Sequence, residues 1–124
     1  MSRIAIASIF IAILTVLLLG WFTAALKYKR KADREACILN IRNIQGAVRS
    51  HHGITDQRVG NVIDWSEIFT SVGGPEKFLM KPQCPHDGSE YILIETYPGE
   101  GETPVATCPH CDTLNHRPDD TTGW

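Results

Sequence analysis

Four cysteines and five histidines are the residues of this 124-residue chain best suited to chemistry. The tripeptide Cys-Pro-His occurs twice, at 84–86 and at 108–110, and the second copy is followed by another cysteine. Two cysteines separated by two residues are the usual half of a structural zinc site, in which sulfur and imidazole ligands complete a tetrahedron. The ligand set predicted on this interpretation is zinc-ribbon-like and consists of Cys84, Asp87 or His86, Cys108 and Cys111.

The run Cys108–Cys111 also matches the active-site sequence of a bacterial disulfide oxidase, where a helix N-terminus stabilises the reactive thiolate. Here the chain reaches Pro118 seven residues after Cys111, which leaves no room for that helix. The pair His51-His52 is typical of solvated residues at a helix end. The sequence has no nucleophile–base pair, glycine-rich phosphate loop or carboxylate dyad, so we expect no catalytic residue and no enzyme.

The N-terminal segment predicts a membrane span over residues 1–26. Between Ile4 and Leu26, 19 of 23 residues are apolar and none is charged. A helix of this length measures about 35 Å, against a hydrocarbon core of about 30 Å. A cleaved signal peptide has a shorter apolar region of about 7–15 residues, so we favour a single span. Basic residues flank the span and suit anionic lipid headgroups: Arg3, Lys27, Lys29, Arg30 and Lys31.

The charges of the chain are strongly segregated. Residues Lys27–Ser50 carry a net charge of +5, whereas residues Pro82–Trp124 carry −7. A general nucleic-acid binder would need a basic surface across its folded part, so we expect no nucleic-acid partner. The positive-inside rule, applied alone to the basic cluster after the span, would place the rest of the chain in the cytoplasm.

Residues 27–52 are predicted to continue the helix as an amphipathic stretch. One stripe recurs at spacings of three and four residues: Arg34, Cys37, Ile41, Ile44 and Val48. Neither proline nor glycine separates Leu26 from Ala36, so the span and the amphipathic stretch are expected to form one continuous helix. We expect this helix to end near Gly53.

Residues 53–116, which we call the head, are predicted to form a small α+β structure. Asp64 followed by Glu67 has a capping-box pattern and predicts a short helix that buries Trp65, Ile68 and Phe69 and stops at residues 73–75. Residues 90–97 are rich in β-formers, and residues 105–107 can return antiparallel after a turn, which gives one hairpin. Residues 117–124 are predicted to be a flexible tail.

Two segments resemble a known family. The run Ala36–Ile44 resembles the segment that follows the membrane helix in type II secretion pseudopilins and related type IV pilin-like proteins of certain bacterial phyla. The C-terminal part resembles the ending of the same proteins through Lys81–Pro85, Gly88, Tyr91, Pro104 and Cys108. The leader glycine and the early glutamate of that family are absent, which argues against ordinary leader processing.

The resemblance implies a pilin-like α+β fold, in which a long N-terminal helix with a transmembrane half and an amphipathic half packs on a small antiparallel β-sheet. It implies a structural subunit of a secretion or pilus-type assembly rather than an enzyme. The implied partners are the lipid bilayer and like or related subunits, which are contacted through the N-terminal helix. The implied location is the inner membrane, with a single pass and an extracytoplasmic head.

An extracytoplasmic head would lie in an oxidising compartment, where four cysteines favour two disulfides among three possible connectivities. Our first expectation pairs Cys84 with Cys108 or Cys111 across the base of the hairpin and joins Cys37 to the remaining cysteine. A free Cys37 on the apolar stripe is the alternative. On this hypothesis no cofactor is expected, whereas a cytoplasmic head would be a membrane-anchored zinc-ribbon-like binding module with one structural Zn²⁺.

Overall fold

One long helix, α1, runs from Arg3 to Thr55 in the computed structural model, which describes residues 3–70, 79–99 and 104–122. The chain divides into two compact units, Met1–Ala32 and Asp33–Trp124. Helix α1 contributes residues to both units. No proline interrupts the helix, so every residue along it has a backbone N–H that can donate a hydrogen bond. The helix continues two residues past Gly53, and Asp56 follows in a left-handed conformation with φ 49°.

The first unit exposes its apolar side chains. All the described side chains between residues 6 and 32 are exposed, including Phe10 and Trp21. By length and composition, α1 is long and apolar enough to cross a membrane, which agrees with the predicted span. A helix that is apolar all round needs an apolar environment, and the described residues of the first unit do not themselves supply one.

The second unit has its core along the predicted stripe of α1. Cys37, Ile41, Ile44 and Val48 are all at most 2% exposed, as the helical spacing predicts. The head covers this stripe with buried residues from its loops, its short helix and its strands: Ile63, Ile68, Tyr91, Tyr97, Val105 and Ala106. The part of α1 that belongs to the second unit, residues 33–55, therefore contributes to the hydrophobic core of that unit.

The short helix α2 spans Trp65–Ile68, and Asp64 caps it by accepting a hydrogen bond of 2.9 Å from the backbone N–H of Ser66. The helix ends earlier than predicted because Phe69 turns to an extended conformation. Strand β1 (Phe69–Thr70) then pairs in parallel with β2 (Leu79–Met80). The predicted stop at residues 73–75 lies outside the described residues.

The predicted hairpin is present in the second unit. Strand β3 (Ile92–Leu93) pairs antiparallel with β4 (Ala106–Thr107), in the register Ile92↔Thr107 and Leu93↔Ala106. The strands are shorter than the β-forming run of residues 90–97 suggested. The chain therefore has the coarse architecture expected, a long helix that packs on a small antiparallel sheet in an α+β arrangement.

Candidate metal centre

Three cysteines and one histidine meet in the core of the second unit. They are Cys37 on α1, Cys84 before β3, Cys108 directly after β4, and His116 in the C-terminal segment. Their exposed fractions are 0, 1, 0 and 2%, so water does not solvate them. We call these four residues the Cys3His cluster.

The donor atoms of the Cys3His cluster lie at contact distance. The Sγ atoms of Cys84 and Cys108 are 3.7 Å apart, and Nδ1 of His116 lies 3.5 Å from Cys108 Sγ and 3.8 Å from Cys84 Sγ. All four donor atoms are within 4.8 Å of one another. In a zinc tetrahedron with Zn–S of about 2.3 Å and Zn–N of about 2.0–2.1 Å, neighbouring donors are about 3.6–3.8 Å apart. The three measured distances match these edges closely.

Two turns present Cys84 and Cys108. The N–H of Cys84 donates to the carbonyl of Ser89 and the N–H of Gly88 donates to the carbonyl of Cys84, both at 2.8 Å. Gly88 has φ +76°, which a residue with a Cβ rarely adopts. At the other turn, the N–H of His110 donates to Cys108 Sγ at 3.4 Å. Each of the two Cys-Pro-His sequences therefore lies in a hydrogen-bonded turn that places its first cysteine in the core.

Arg34 holds the segment that carries His116. Its Nε donates to the carbonyl of Asn115 at 2.9 Å, and its Nη2 lies 2.8 Å from both carboxylate oxygens of Asp119 and 3.4 Å from the carbonyl of Arg117. The residue expected to head the stripe of α1 thus fixes the backbone on both sides of the histidine.

Tyr91 contacts the fourth donor. Its hydroxyl lies 3.3 Å from Cys37 Sγ and accepts a hydrogen bond of 3.2 Å from Nδ2 of Asn40. Burial is the main cause that raises the pKa of Tyr91. The hydroxyl therefore keeps its proton and can donate it towards the sulfur of Cys37.

Burial is the main influence on the pKa values of Cys37, Cys108 and His116. It raises the pKa of the thiols of Cys37 and Cys108, which are protonated at neutral pH in consequence. Burial, aided by the nearby His110 and His86, lowers the pKa of His116, so its ring is neutral. Neutral imidazole is the form that ligates metals, and thiols release their protons when a divalent cation binds.

The Cys3His cluster differs in two members from the zinc ligands predicted from the sequence. It contains Cys84 and Cys108 as predicted, but Cys37 and His116 stand where Cys111 and either Asp87 or His86 were expected. Cys111 is half-buried and packs on the edge of the core. His86 is exposed, with Nδ1 3.9 Å from a carboxylate oxygen of Asp33.

Asp87 belongs to a second, more exposed group with Cys84 and His110. Its Oδ2 lies 2.8 Å from Nε2 of His110. The hydrogen bond of 3.0 Å from the backbone N–H of Ser89, and then the one from His110, lower the pKa of Asp87 well below its usual range. Asp87 is therefore an ionised turn residue that orients His110.

Sequence reasoning did not place His116 in this group of donors. Three cysteines of the second unit share a site, and a tetrahedral site needs a fourth donor. Five histidines compete for that place, and their spacing does not distinguish His116. Only the fold brings it to the cluster.

All four cysteines are free thiols in the structure. The 3.7 Å between Cys84 and Cys108 is well beyond a disulfide length of about 2.05 Å. Disulfide pairing in an oxidised chain stays a prediction.

A second buried polar group lies at the other end of the stripe. His51 is 4% exposed; its Nδ1 lies 2.5 Å from the hydroxyl of Tyr97 and its Nε2 lies 3.1 Å from Oε2 of Glu67. We call these three residues the His51 network. It was not predicted, since His51 was expected to be a solvated cap.

The predicted membrane flank lies in the first unit. Arg3 is the first residue of α1, and the other four basic residues are exposed on the same helix: Lys27, Lys29, Arg30 and Lys31. No protein-family model, curated protein or solved structure matches this chain.

Proposed function

We propose that this chain is a membrane-anchored, non-catalytic, pilin-like subunit of a type II secretion or type IV pilus-type assembly. The observation that carries the proposal is that the segments that resemble the family contact one another. Cys37 and Asn40, from the segment after the span, contact Tyr91 from the C-terminal segment. Residues that define a family motif are expected to share one structural site, and these residues do so.

The division of α1 supports the same function. Residues 33–55 contribute one buried face to the core of the second unit, while residues 6–26 keep their large apolar side chains exposed. Such a surface is satisfied by lipid before assembly and by neighbouring helices afterwards. A heterologous helix-to-helix contact does not close on itself, so it can propagate a filament.

The proposed location is the inner membrane, with a single pass and the head outside the cytoplasm. Protease shaving of intact spheroplasts tests this placement on the full chain. We expect external protease to digest the head while a cytoplasmic marker protein stays intact. A head that is digested only after the spheroplasts are lysed would contradict the placement.

Photo-crosslinking tests the proposed partner. A photoreactive amino acid at Leu14 or Leu18, both exposed in the apolar segment, is expected to give covalent products with like or related subunits. Leu39 is 56% exposed on the head-bearing part of α1 and is the matched control. Lipid adducts alone at residues 14 and 18, in cells that contain the assembly, would rule out helix-mediated association.

The second candidate is a membrane-anchored zinc-ribbon-like binding module with a cytoplasmic head. The observation that favours it is the Cys3His cluster, because thiol ligands persist more readily in a reducing compartment. The basic residues after the span also favour a cytoplasmic side. The spheroplast experiment distinguishes the two candidates, since this one requires a protected head.

A further inference from the structure

The Cys3His cluster has the donors, distances and burial of a structural metal centre. Three sulfurs and one imidazole nitrogen are the ligand types that zinc favours, whereas Mg²⁺ and Ca²⁺ favour oxygen. The donor distances of 3.5, 3.7 and 3.8 Å among Cys84, Cys108 and His116 fit the three edges of one face of a tetrahedron, and Sγ of Cys37 lies within 4.8 Å of all three donors. We propose that Cys37, Cys84, Cys108 and His116 bind one Zn²⁺ ion that joins α1 to the head.

Disulfide bonds account for fewer of the four buried donors of the Cys3His cluster than a metal ion does. A bond between Cys84 and Cys108 would use two of the four donors and would leave Cys37 and His116 buried beside it without a role. Cys111 is the cysteine outside the cluster, so it could not pair with Cys37 without a rearrangement of the core. A metal ion uses all four buried donors at once.

The surroundings of the donors also suit thiolate ligands. The N–H of His110 points at Cys108 Sγ, and the hydroxyl of Tyr91 lies 3.3 Å from Cys37 Sγ. Hydrogen bonds of this kind orient metal ligands and stabilise their charge. Four protein donors leave no open position for water or substrate, which is the arrangement of a structural rather than a catalytic zinc site.

The ion would connect distant parts of the chain. Cys37 belongs to α1, Cys84 and Cys108 lie at the two ends of the hairpin segment, and His116 follows them. A unit of about 90 residues is close to the size at which a hydrophobic core needs additional support. The proposal depends only on the second unit and holds whichever function the anchored protein has.

Metal content of the full chain, purified in detergent with thiols kept reduced, tests the proposal. We expect about one zinc per chain, and less than a tenth of that in Cys37→Ser, Cys84→Ser, Cys108→Ser and His116→Asn. Cys111→Ser and His86→Asn are the matched controls, because each makes the same type of change near the site and neither residue belongs to the Cys3His cluster. Zinc-free wild-type protein, or zinc lost equally from Cys111→Ser, would overturn the proposal.

A second measurement on the wild-type chain avoids the problem that a variant fails to fold. Cobalt titrated into the metal-free protein should give the visible absorption of a tetrahedral thiolate complex at one equivalent. With zinc present, alkylation should label Cys111 at least tenfold faster than the other three cysteines, and chelation should remove that difference. Equal labelling of Cys37 and Cys111 in the zinc-loaded protein, or a Cys84–Cys108 disulfide in freshly trapped protein, would overturn it.

Discussion

The buried polar atoms at the two ends of the stripe of α1 have different kinds of partner. Cys37 and His51 lie on the same helix, about 21 Å apart at 1.5 Å per residue. At the His51 end, both ring nitrogens have an oxygen partner. At the Cys37 end, three sulfurs and one nitrogen face one another, and sulfur forms only weak hydrogen bonds.

The comparison indicates that the Cys37 end, unlike the His51 end, needs a bound metal ion to satisfy its donor atoms. The His51 network satisfies its polar atoms with other side chains, so it stabilises the second unit by itself. The Cys3His cluster brings together donors that interact weakly with one another but strongly with a soft divalent cation. We therefore expect the two ends to respond very differently to perturbation.

Metal removal is expected to have the largest effect. Structural zinc sites contribute apparent binding free energies of about 10–16 kcal/mol in small peptides, which exceeds the stability of a typical small domain. A strong chelator should therefore abolish the tertiary structure of the second unit, measured by near-ultraviolet circular dichroism of the full chain in detergent. Zinc added back should restore the signal. An unchanged spectrum after the metal is removed would contradict the claim that the Cys37 end needs a metal ion.

Core substitutions between the two ends come next. Ile44 is fully buried, so Ile44→Ala should lower the free energy of unfolding by about 2–5 kcal/mol. Leu39→Ala is the matched control, because Leu39 is on the exposed side of the same helix and a surface change costs about 0.5 kcal/mol or less. Chemical denaturation of the zinc-loaded chain measures both, and equal losses would mean that the stripe is not the packing face.

The His51 network should respond more weakly. Tyr97→Phe removes the hydroxyl 2.5 Å from Nδ1 of His51, and an unpaired buried polar atom costs about 1–3 kcal/mol. The control is Tyr28→Phe, since Tyr28 is exposed in the first unit. Zinc content should stay at one per chain in both variants, because the network is remote from the cluster.

Tyr97 also predicts a pH dependence. Burial is the main cause that raises the pKa of Tyr97, with the nearby Glu67 and Asp64 adding to it. The unfolded chain ionises this tyrosine near pH 10, while the folded chain keeps it neutral. The stabilisation from neutral Tyr97 is therefore complete below about pH 10 and is lost as the pH rises further. In Tyr97→Phe, the free energy of unfolding should fall less steeply with pH in this alkaline range.

Arg34 is expected to give the smallest effect. Its partner Asp119 is 80% exposed, and an exposed ion pair contributes only about 0–1 kcal/mol. Arg34→Ala should thus lower stability by about 1 kcal/mol but speed zinc loss to a chelator, because the segment around His116 is held less firmly. Arg42→Ala, on the exposed side of α1, is the control. If zinc is lost at the same rate from Arg34→Ala and from the wild-type chain, then Arg34 does not stabilise the metal centre.

The parts of the fold predicted from the sequence are those set by local patterns. The stripe from Cys37 to Val48 follows helical periodicity, and the cap at Asp64 follows from one side chain and its neighbours. The hairpin of β3 and β4 was predicted from β-forming residues on either side of a turn. The parallel pairing of Phe69 with Leu79 was not, because two-residue strands carry no usable alternation.

The candidate site was predicted only in part, because a metal centre depends on tertiary proximity. Cys84 and Cys108 were recognised from their repeated tripeptide. Cys111 had the spacing of a ligand but lies outside the cluster, whereas His116 had no distinguishing pattern and lies inside it. Local spacing describes a turn, but the helix and the C-terminal segment that complete the site meet only in the folded chain.

The sequence separation of the donors has a consequence for folding kinetics. Cys84, Cys108 and His116 lie within 32 residues of one another, whereas Tyr91 and Cys37 are 54 residues apart. Contacts of high contact order form late because they close the longest loops. The three-donor half-site should thus assemble first, and the docking of α1 through Cys37 should be the last step. A change at Cys37 would then mainly accelerate unfolding and leave the refolding rate nearly unchanged.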